Sequence, residues 1–263
     1  MDLGLKGKVA LVGGASRGLG YATAKALLQE GCKVAMVSRL KEPIEDAAEH
    51  LSKETGGTAD GFAADLSEPR SVEILVREVL RSFDRIDILV HNTGGPPVGR
   101  IENLKVEDYE AALRNNFLSA VRLASLVLPG MRERKWGRIV TITSFTVKQP
   151  APAFVLSNAP RAAVTSWVKT LSAEVAADGV LVNNVSPGSI HTERIEELAK
   201  SRAKMNGTTP EKEMEKMRGE IPVGRLGKPE ELAALVAFLC SERASYLTGN
   251  TILCDGGMYK GLF

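Results

Sequence analysis

Glycines at positions 14, 18 and 20 lie in the run Gly13, Gly14, Ala15, Ser16, Arg17, Gly18, Leu19, Gly20, directly after the apolar segment Lys8 to Val12. Glycines placed between a strand and a helix let the backbone turn tightly, bring an anion against main-chain amides and aim the helix amides at it. The chemistry such a turn suits is the binding of a dinucleotide pyrophosphate, with Gly14, Ser16, Arg17, Gly18, Leu19 and Gly20 as the cradle. The next apolar run ends Val37, Ser38, Arg39 and carries no acid. A carboxylate there would accept from ribose hydroxyls, whereas a 2′-phosphate calls for hydroxyl and cationic groups. Ser38, Arg39 and Arg17 supply those groups, so NADP(H) is expected in preference to NAD(H).

The elements that must hold this turn follow from hydrophobic pattern. Short β-branched runs at 8–12, 33–38, 61–64, 86–91, 137–143, 180–185 and 251–254 alternate with helical patterns near 18–30, 41–55, 68–83, 106–133, 153–177 and 229–240. This alternation predicts an α/β fold, a doubly wound parallel sheet of the Rossmann-like kind, with about seven strands and helices on both faces. Ligands of such sheets bind at the carboxyl ends of the strands. The 263 residues are expected to form one domain. Residues 194–222 break the rhythm: they are highly charged, and Thr209 followed by Pro210 and Glu211 is a good helix start. That stretch is expected to be a mobile helical flap over the crevice, with few apolar residues to anchor it.

Composition narrows the function classes. Lysine plus arginine number 34 against 32 aspartate plus glutamate, a net charge of +2, which gives no electrostatic basis for a nucleic-acid or membrane partner. A small-molecule substrate is expected instead. The three cysteines, Cys32, Cys240 and Cys254, sit in apolar runs and read as reduced, buried thiols. The N-terminal residues enter a strand too early for a secretory signal, and no apolar run reaches the roughly 20 residues of a membrane helix. A soluble, cytoplasmic protein is expected.

The glycine spacing, three residues and then one, resembles that of the short-chain dehydrogenase/reductase family, and further marks follow in order along nearly the whole chain. Asp65 and Leu66 resemble the family's adenine contact, and His91, Asn92, Thr93, Gly94 its Asn-Asn-Ala-Gly element. Asn116, Ser144, and Pro187, Gly188, Ile190 and Thr192 resemble its later cofactor and active-site positions, with Gly224 to Glu231 and Leu247 to Gly257 matching its C-terminal part. In general layout the chain resembles 3-oxoacyl-carrier-protein reductases.

The resemblance implies an Asn-Ser-Tyr-Lys catalytic set, and here the sequence departs from it. Asn116 and Ser144 keep their places, but Ser157 stands where the tyrosine is expected and Arg161 where the lysine is expected. Four residues apart, they share one helical face. Serine is a far weaker acid than tyrosine, and arginine stays charged and cannot relay a proton, although it can hold the nicotinamide ribose or stabilise an oxyanion. Losing a general acid costs about 10²-fold to 10⁴-fold, which leaves room for slow turnover with a proton from water. Replacement acids to consider are His91, His191, Lys148 and Tyr259, the last only if the C-terminal tail docks. Pro160 is unusual inside a helix and could shift Arg161. Phe145, Phe154 and the loop Gly94 to Gly99 are candidate pocket walls.

The leading expectation is an NADP(H)-dependent oxidoreductase of alcohol and carbonyl groups with an atypical proton-transfer set. Alternatives are a non-catalytic NADP(H)-binding sensor or structural partner, and a lyase or epimerase. The resemblance also implies pairing through the long helices and C-terminal segments, where Leu262 and Phe263 are apolar, and hence a homotetramer.

Overall fold

The computed structural model describes residues 1–262; Phe263, one of the two apolar tail residues expected at an interface, lies outside them. The apolar runs become β1 (Val9–Gly13), β2 (Lys33–Ser38), β3 (Ala59–Ala63), β4 (Ile88–His91), β5 (Gly137–Ile142), β6 (Val180–Pro187) and β7 (Thr251–Cys254). They form one parallel sheet in the order β3-β2-β1-β4-β5-β6-β7. Strands β1, β4, β5 and β6 are buried throughout, which is why they read as continuous apolar runs and not as alternating ones. Chain order reverses between β1 and β4, and that switch point opens the crevice where ligands of such sheets bind.

Helices α1 (Gly18–Gln29), α2 (Lys41–Thr55) and α9 (Pro229–Cys240) cover one face, α3 (Pro69–Phe83), α5 (Ser119–Glu133) and α6 (Val155–Val175) the other. α1 and α2 pack Ala24, Leu27, Ile44 and Leu51 against Val12, Val34 and Met36, while α3 and α5 pack Val72, Val79 and Leu123 against Leu11 and Leu89. Cys32 and Cys240 lie in the first of these cores and Cys254 is half-buried; all three are free thiols. Burial pushes the Cys32 thiol up to about 12, so it stays protonated and inert. No helix among the described residues is long and apolar enough to cross a membrane.

The expected helix 106–133 is two helices, α4 (Val106–Leu113) and α5, joined by a π-helical turn over Arg114–Leu118. The fourth strand starts later than its apolar pattern, at Ile88, because Asp87 ends the lead-in. Its fully buried carboxylate accepts from the Val9 N–H at 3.0 Å and pairs with Arg85 at 2.6 Å. The third strand likewise lies at 59–63 rather than 61–64.

The charged stretch 194–222 forms α7 (Glu193–Asn206) and α8 (Pro210–Gly219). Thr209 caps α8 by accepting from the Lys212 N–H at 3.4 Å, as its sequence suggests. The stretch has more anchorage than its composition implies. Ala199, Ala203 and Met217 are buried, and Ile221 joins Leu226 and Met258 in a small cluster with Phe145, Ile195 and Met214. Glu213, also buried, accepts from Asn206 at 3.1 Å and Thr208 at 2.6 Å, closing the turn between the two helices.

His91 ends β4 as a sealed residue. Its imidazole is 3 % exposed and its Nε2 lies 2.8 Å from Ser119 Oγ. Burial, and then the charge of Arg161, push it down to about 3. This argues against His91 as one of the candidate replacement acids. An unfolded chain protonates histidine near about 6.5, so His91 withdraws stability as pH falls from there toward about 3. Nuclear magnetic resonance is expected to show no His91 titration between pH 5 and 8, and His91→Asn should flatten the loss of urea resistance below about pH 6.5. An imidazole titrating near 6 would contradict this assignment.

Candidate active site

The glycine turn is held against the end of β4. A Cβ on Gly14, whose φ is +58°, would lie 2.7 Å from the Asn92 amide nitrogen, and one on Gly20 would lie 2.2 Å from the Gly14 carbonyl oxygen. Only glycine lets the turn close in this way. Asn92 Nδ2 donates to the Gly13 carbonyl at 3.2 Å, and Leu66 lies beside Gly13. α1 begins at Gly18 with no side-chain cap and no acid in its first turn, so its leading amides are open to an anion. A pyrophosphate fits this cradle on both counts, close backbone approach and uncapped helix amides.

The other expected cofactor residues ring the same crevice. Ser38 Oγ donates to the Leu40 carbonyl at 3.2 Å, and the exposed Arg39 follows at the end of β2. Asp65 turns its carboxylate onto Ser67, accepting from its N–H at 2.9 Å and its hydroxyl at 2.8 Å. After β6, Pro187 and Gly188 lead to Ile190, which pairs with Gly227 in a short bridge. Thr192 starts α7, with its methyl group 3.6 Å from where a Gly18 Cβ would stand. Thr93 donates to Asn116 Oδ1 at 3.2 Å, just before Gly94.

Two contacts here have no sequence signal. Arg17 does not lie free for a phosphate: its guanidinium is paired with Glu193 at the start of α7. Arg194, the next residue, donates to the Pro96 carbonyl at 2.6 Å and fills the space beside Gly95. The start of α7 is therefore fastened both to the glycine turn and to the loop after β4. The partners are 176 and 98 residues apart in sequence, beyond the reach of any local pattern.

Among the catalytic candidates, Asn116 occupies the π-helical turn, 2 % exposed, with Nδ2 donating to the Ala112 carbonyl at 3.0 Å. π-turns interrupt helices at functional sites often enough to be informative. Ser144 follows β5, and its Oγ accepts from the Thr146 N–H at 3.2 Å and from the Thr146 hydroxyl at 3.0 Å. Beneath it the carbonyl oxygen of the buried Asn184 side chain accepts from Thr141 at 2.9 Å and Thr143 at 3.0 Å, bracing the strand end. Ser157 lies half-buried on the first turn of α6, one turn before Arg161.

Arg161 is 8 % exposed. Its Nη1 donates to the carbonyls of Ile142 at 3.1 Å and Thr143 at 2.6 Å, the two residues before Ser144. Its Nε has no hydrogen-bond partner, nor has Oδ1 of the neighbouring Asn158. Among the described residues no carboxylate pairs with it. Burial, with Arg194 adding repulsion, pulls its guanidinium down to about 10, so it remains charged at neutral pH. Sequence reasoning missed Asn158 altogether, since a lone asparagine on a helix carries no signal of burial. Of the other candidate acids, His191 is exposed beside Glu196, while Lys148 stands 5.7 Å over the ring of Tyr259. The tail thus does dock Tyr259 against the loop that follows Ser144.

Comparison with known proteins identifies the family. A family described as enoyl-(acyl carrier protein) reductase matches residues 14–259. The 3-oxoacyl-[acyl-carrier-protein] reductase FabG of Vibrio cholerae is 34% identical over 257 residues, covering 98% of this chain and 99% of that protein. Among solved structures, L-sorbose reductase from Gluconobacter frateurii, complexed with NADPH and L-sorbose, superposes with a TM-score of 0.94 at 36% identity over 100% of both chains. YwfH, an NADPH-dependent reductase involved in bacilysin biosynthesis, superposes at 0.92 with 29% identity, over 98% of this chain and 100% of that one. The chain is therefore a member of the short-chain dehydrogenase/reductase family and an oxidoreductase of that type.

Proposed function

We propose that the protein is an NADP(H)-dependent oxidoreductase of carbonyl and alcohol groups in which Asn116, Ser144, Ser157 and Arg161 form an altered proton-transfer set. The observation that carries this reading is the buried, charged Arg161 with an unpartnered Nε, directly behind Ser144. Buried polar atoms are nearly always satisfied, and an orphaned donor on a charged group is a place for a ligand oxygen. When bound, the nicotinamide nucleotide supplies or accepts the hydride. Ser144 polarises the substrate oxygen, Arg161 offsets the negative charge that develops there, and Asn116 keeps the π-turn open beside Thr93. With no tyrosine on α6, the proton comes from water, reached through the Ser157 hydroxyl. The retained glycine cradle, and relatives solved with NADPH, support chemistry over a purely structural role.

For the cofactor, the acid-free end of β2 and the exposed Arg39 support a 2′-phosphate. Arg17 contributes only if it leaves or shares Glu193. Exposed apolar residues on the segments between β4 and β5, Ile101, Val106, Leu113 and Leu126, support association into a homotetramer, and a cytoplasmic location is part of the same reading.

Titration by nicotinamide fluorescence is expected to show micromolar NADPH affinity and much weaker NADH affinity. Arg39→Ala should weaken NADPH by roughly tenfold, the loss of one charge-assisted phosphate contact, and leave NADH unchanged; equal losses for both would refute the phosphate contact. In NADPH oxidation with a panel of ketones, Arg161→Ala should abolish turnover. Ser157→Tyr combined with Arg161→Lys should raise it by about 10²-fold or more, whereas no gain would show that the pocket serves another acid. Light scattering at micromolar concentration should give four times the 28.2 kDa chain mass; a monomer mass would overturn the assembly.

A further inference from the structure

The loop after β4 and the exposed side of α7 flank an open groove of about 550 Å³, lined by Pro97 and Val98 on one wall and by Arg194, Glu197, Lys200 and Lys204 on the other. That volume is in the range of small-molecule sites. Arg194, Glu197, Ser201 and Lys204 recur at the spacing of one helical face, so α7 turns a continuous charged stripe toward the loop. Three cations stand against one carboxylate. Glu197 is 3.6 Å from Arg194, and Lys200 and Lys204 have no ion pair among the described residues.

The groove adjoins the loop after β4, whose first residues include Thr93, the donor to Asn116 at 3.2 Å. Arg194 stands at the end of the groove nearest that loop, packed against Gly95 and bound to the Pro96 carbonyl. Outward from that loop the groove presents the Arg194 guanidinium, shared with Glu197, and then two ammonium groups with no ion pair among the described residues. Neutral ketones have nothing to offer this series, whereas a substrate bearing an anion would pair with it.

Building on the reductase reading, we infer that this groove selects substrates carrying an anionic group, a carboxylate or a phosphate, several bonds from the reacting carbonyl. Arg194 positions the substrate, and Lys200 and Lys204 hold the anion. Surface lysines bind a monoanion weakly one at a time, and the effect falls with salt.

The test compares levulinate with its methyl ester, and dihydroxyacetone phosphate with dihydroxyacetone, as substrates for the NADPH-loaded protein. In at least one pair the charged member should have the higher kcat/KM, by roughly tenfold at low salt, the size of two partly screened charge pairs. The ratio should fall toward one in Lys200→Gln/Lys204→Gln and stay unchanged in Lys212→Gln, a lysine exposed on α8. Which pair shows the preference distinguishes carboxylate from phosphate. Calorimetric titration with glutarate and with inorganic phosphate reads the groove without turnover: binding that is lost in the double variant supports the assignment even if no ketone is reduced, in which case only the reductase reading fails. Equal kcat/KM within both pairs, or a charge preference that survives the double variant, overturns it.

Discussion

The guanidinium of Arg161 is taken out of water beneath the crevice and receives two main-chain carbonyls, from Ile142 and Thr143, in place of a carboxylate. Burial of a charge costs several kcal/mol after relaxation, and a hydrogen bond to a charged group returns about 1.5–3 kcal/mol. Two such bonds offset much of that cost. They also tie α6 to the end of β5 and fix the backbone from which Ser144 projects. The positive potential that remains is unspent inside the fold. After burial, the larger cause, it helps keep the neighbouring His91 in its neutral form, and in the proposed reaction it meets the oxygen that acquires negative charge in the crevice.

Around that charge the crevice is assembled from segments remote in sequence. The glycine turn leans on Asn92, Asn116 is held by Thr93 and Ala112, and α7 is fastened by Arg17–Glu193 on one side and Arg194–Pro96 on the other. Each fastening is a single polar contact, buried at Asn116 and half-exposed or exposed elsewhere, and the exposed ion pair is worth about 1 kcal/mol or less. The hydrophobic cluster under α8 holds the helical pair in place, while these weaker clamps set how its first turn meets the cofactor cradle. The sheet, which carries the two large cores, does not depend on these contacts.

The sheet, its strand count and the glycine turn were legible from residue pattern because they depend on local rules: buried strands are continuously apolar, and a turn that excludes a Cβ must be glycine. Three features were not. The π-turn around Asn116 leaves no trace in hydrophobic period, since one extra residue in a helix merely shifts the apolar face. His91 looked like a titrating group because a sequence shows residue type and not burial. Arg17 looked free because its partner, Glu193, lies on the far side of the fold. The flap was half legible: Thr209 and Pro210 marked the start of α8, but Ala199, Ala203 and Met217, small or isolated among charges, hid the apolar side that anchors it.

The claim that this altered constellation still performs hydride chemistry is tested most directly by isotope transfer. The protein is incubated with NADPH dideuterated at C4 of the nicotinamide and a panel of neutral and anionic carbonyl compounds, and the products are analysed by mass spectrometry. The account predicts one deuterium on the former carbonyl carbon of at least one product, and none when Arg161 is alanine. Tight NADPH binding with no label in any product would contradict it and leave a nucleotide-binding protein built on a reductase fold.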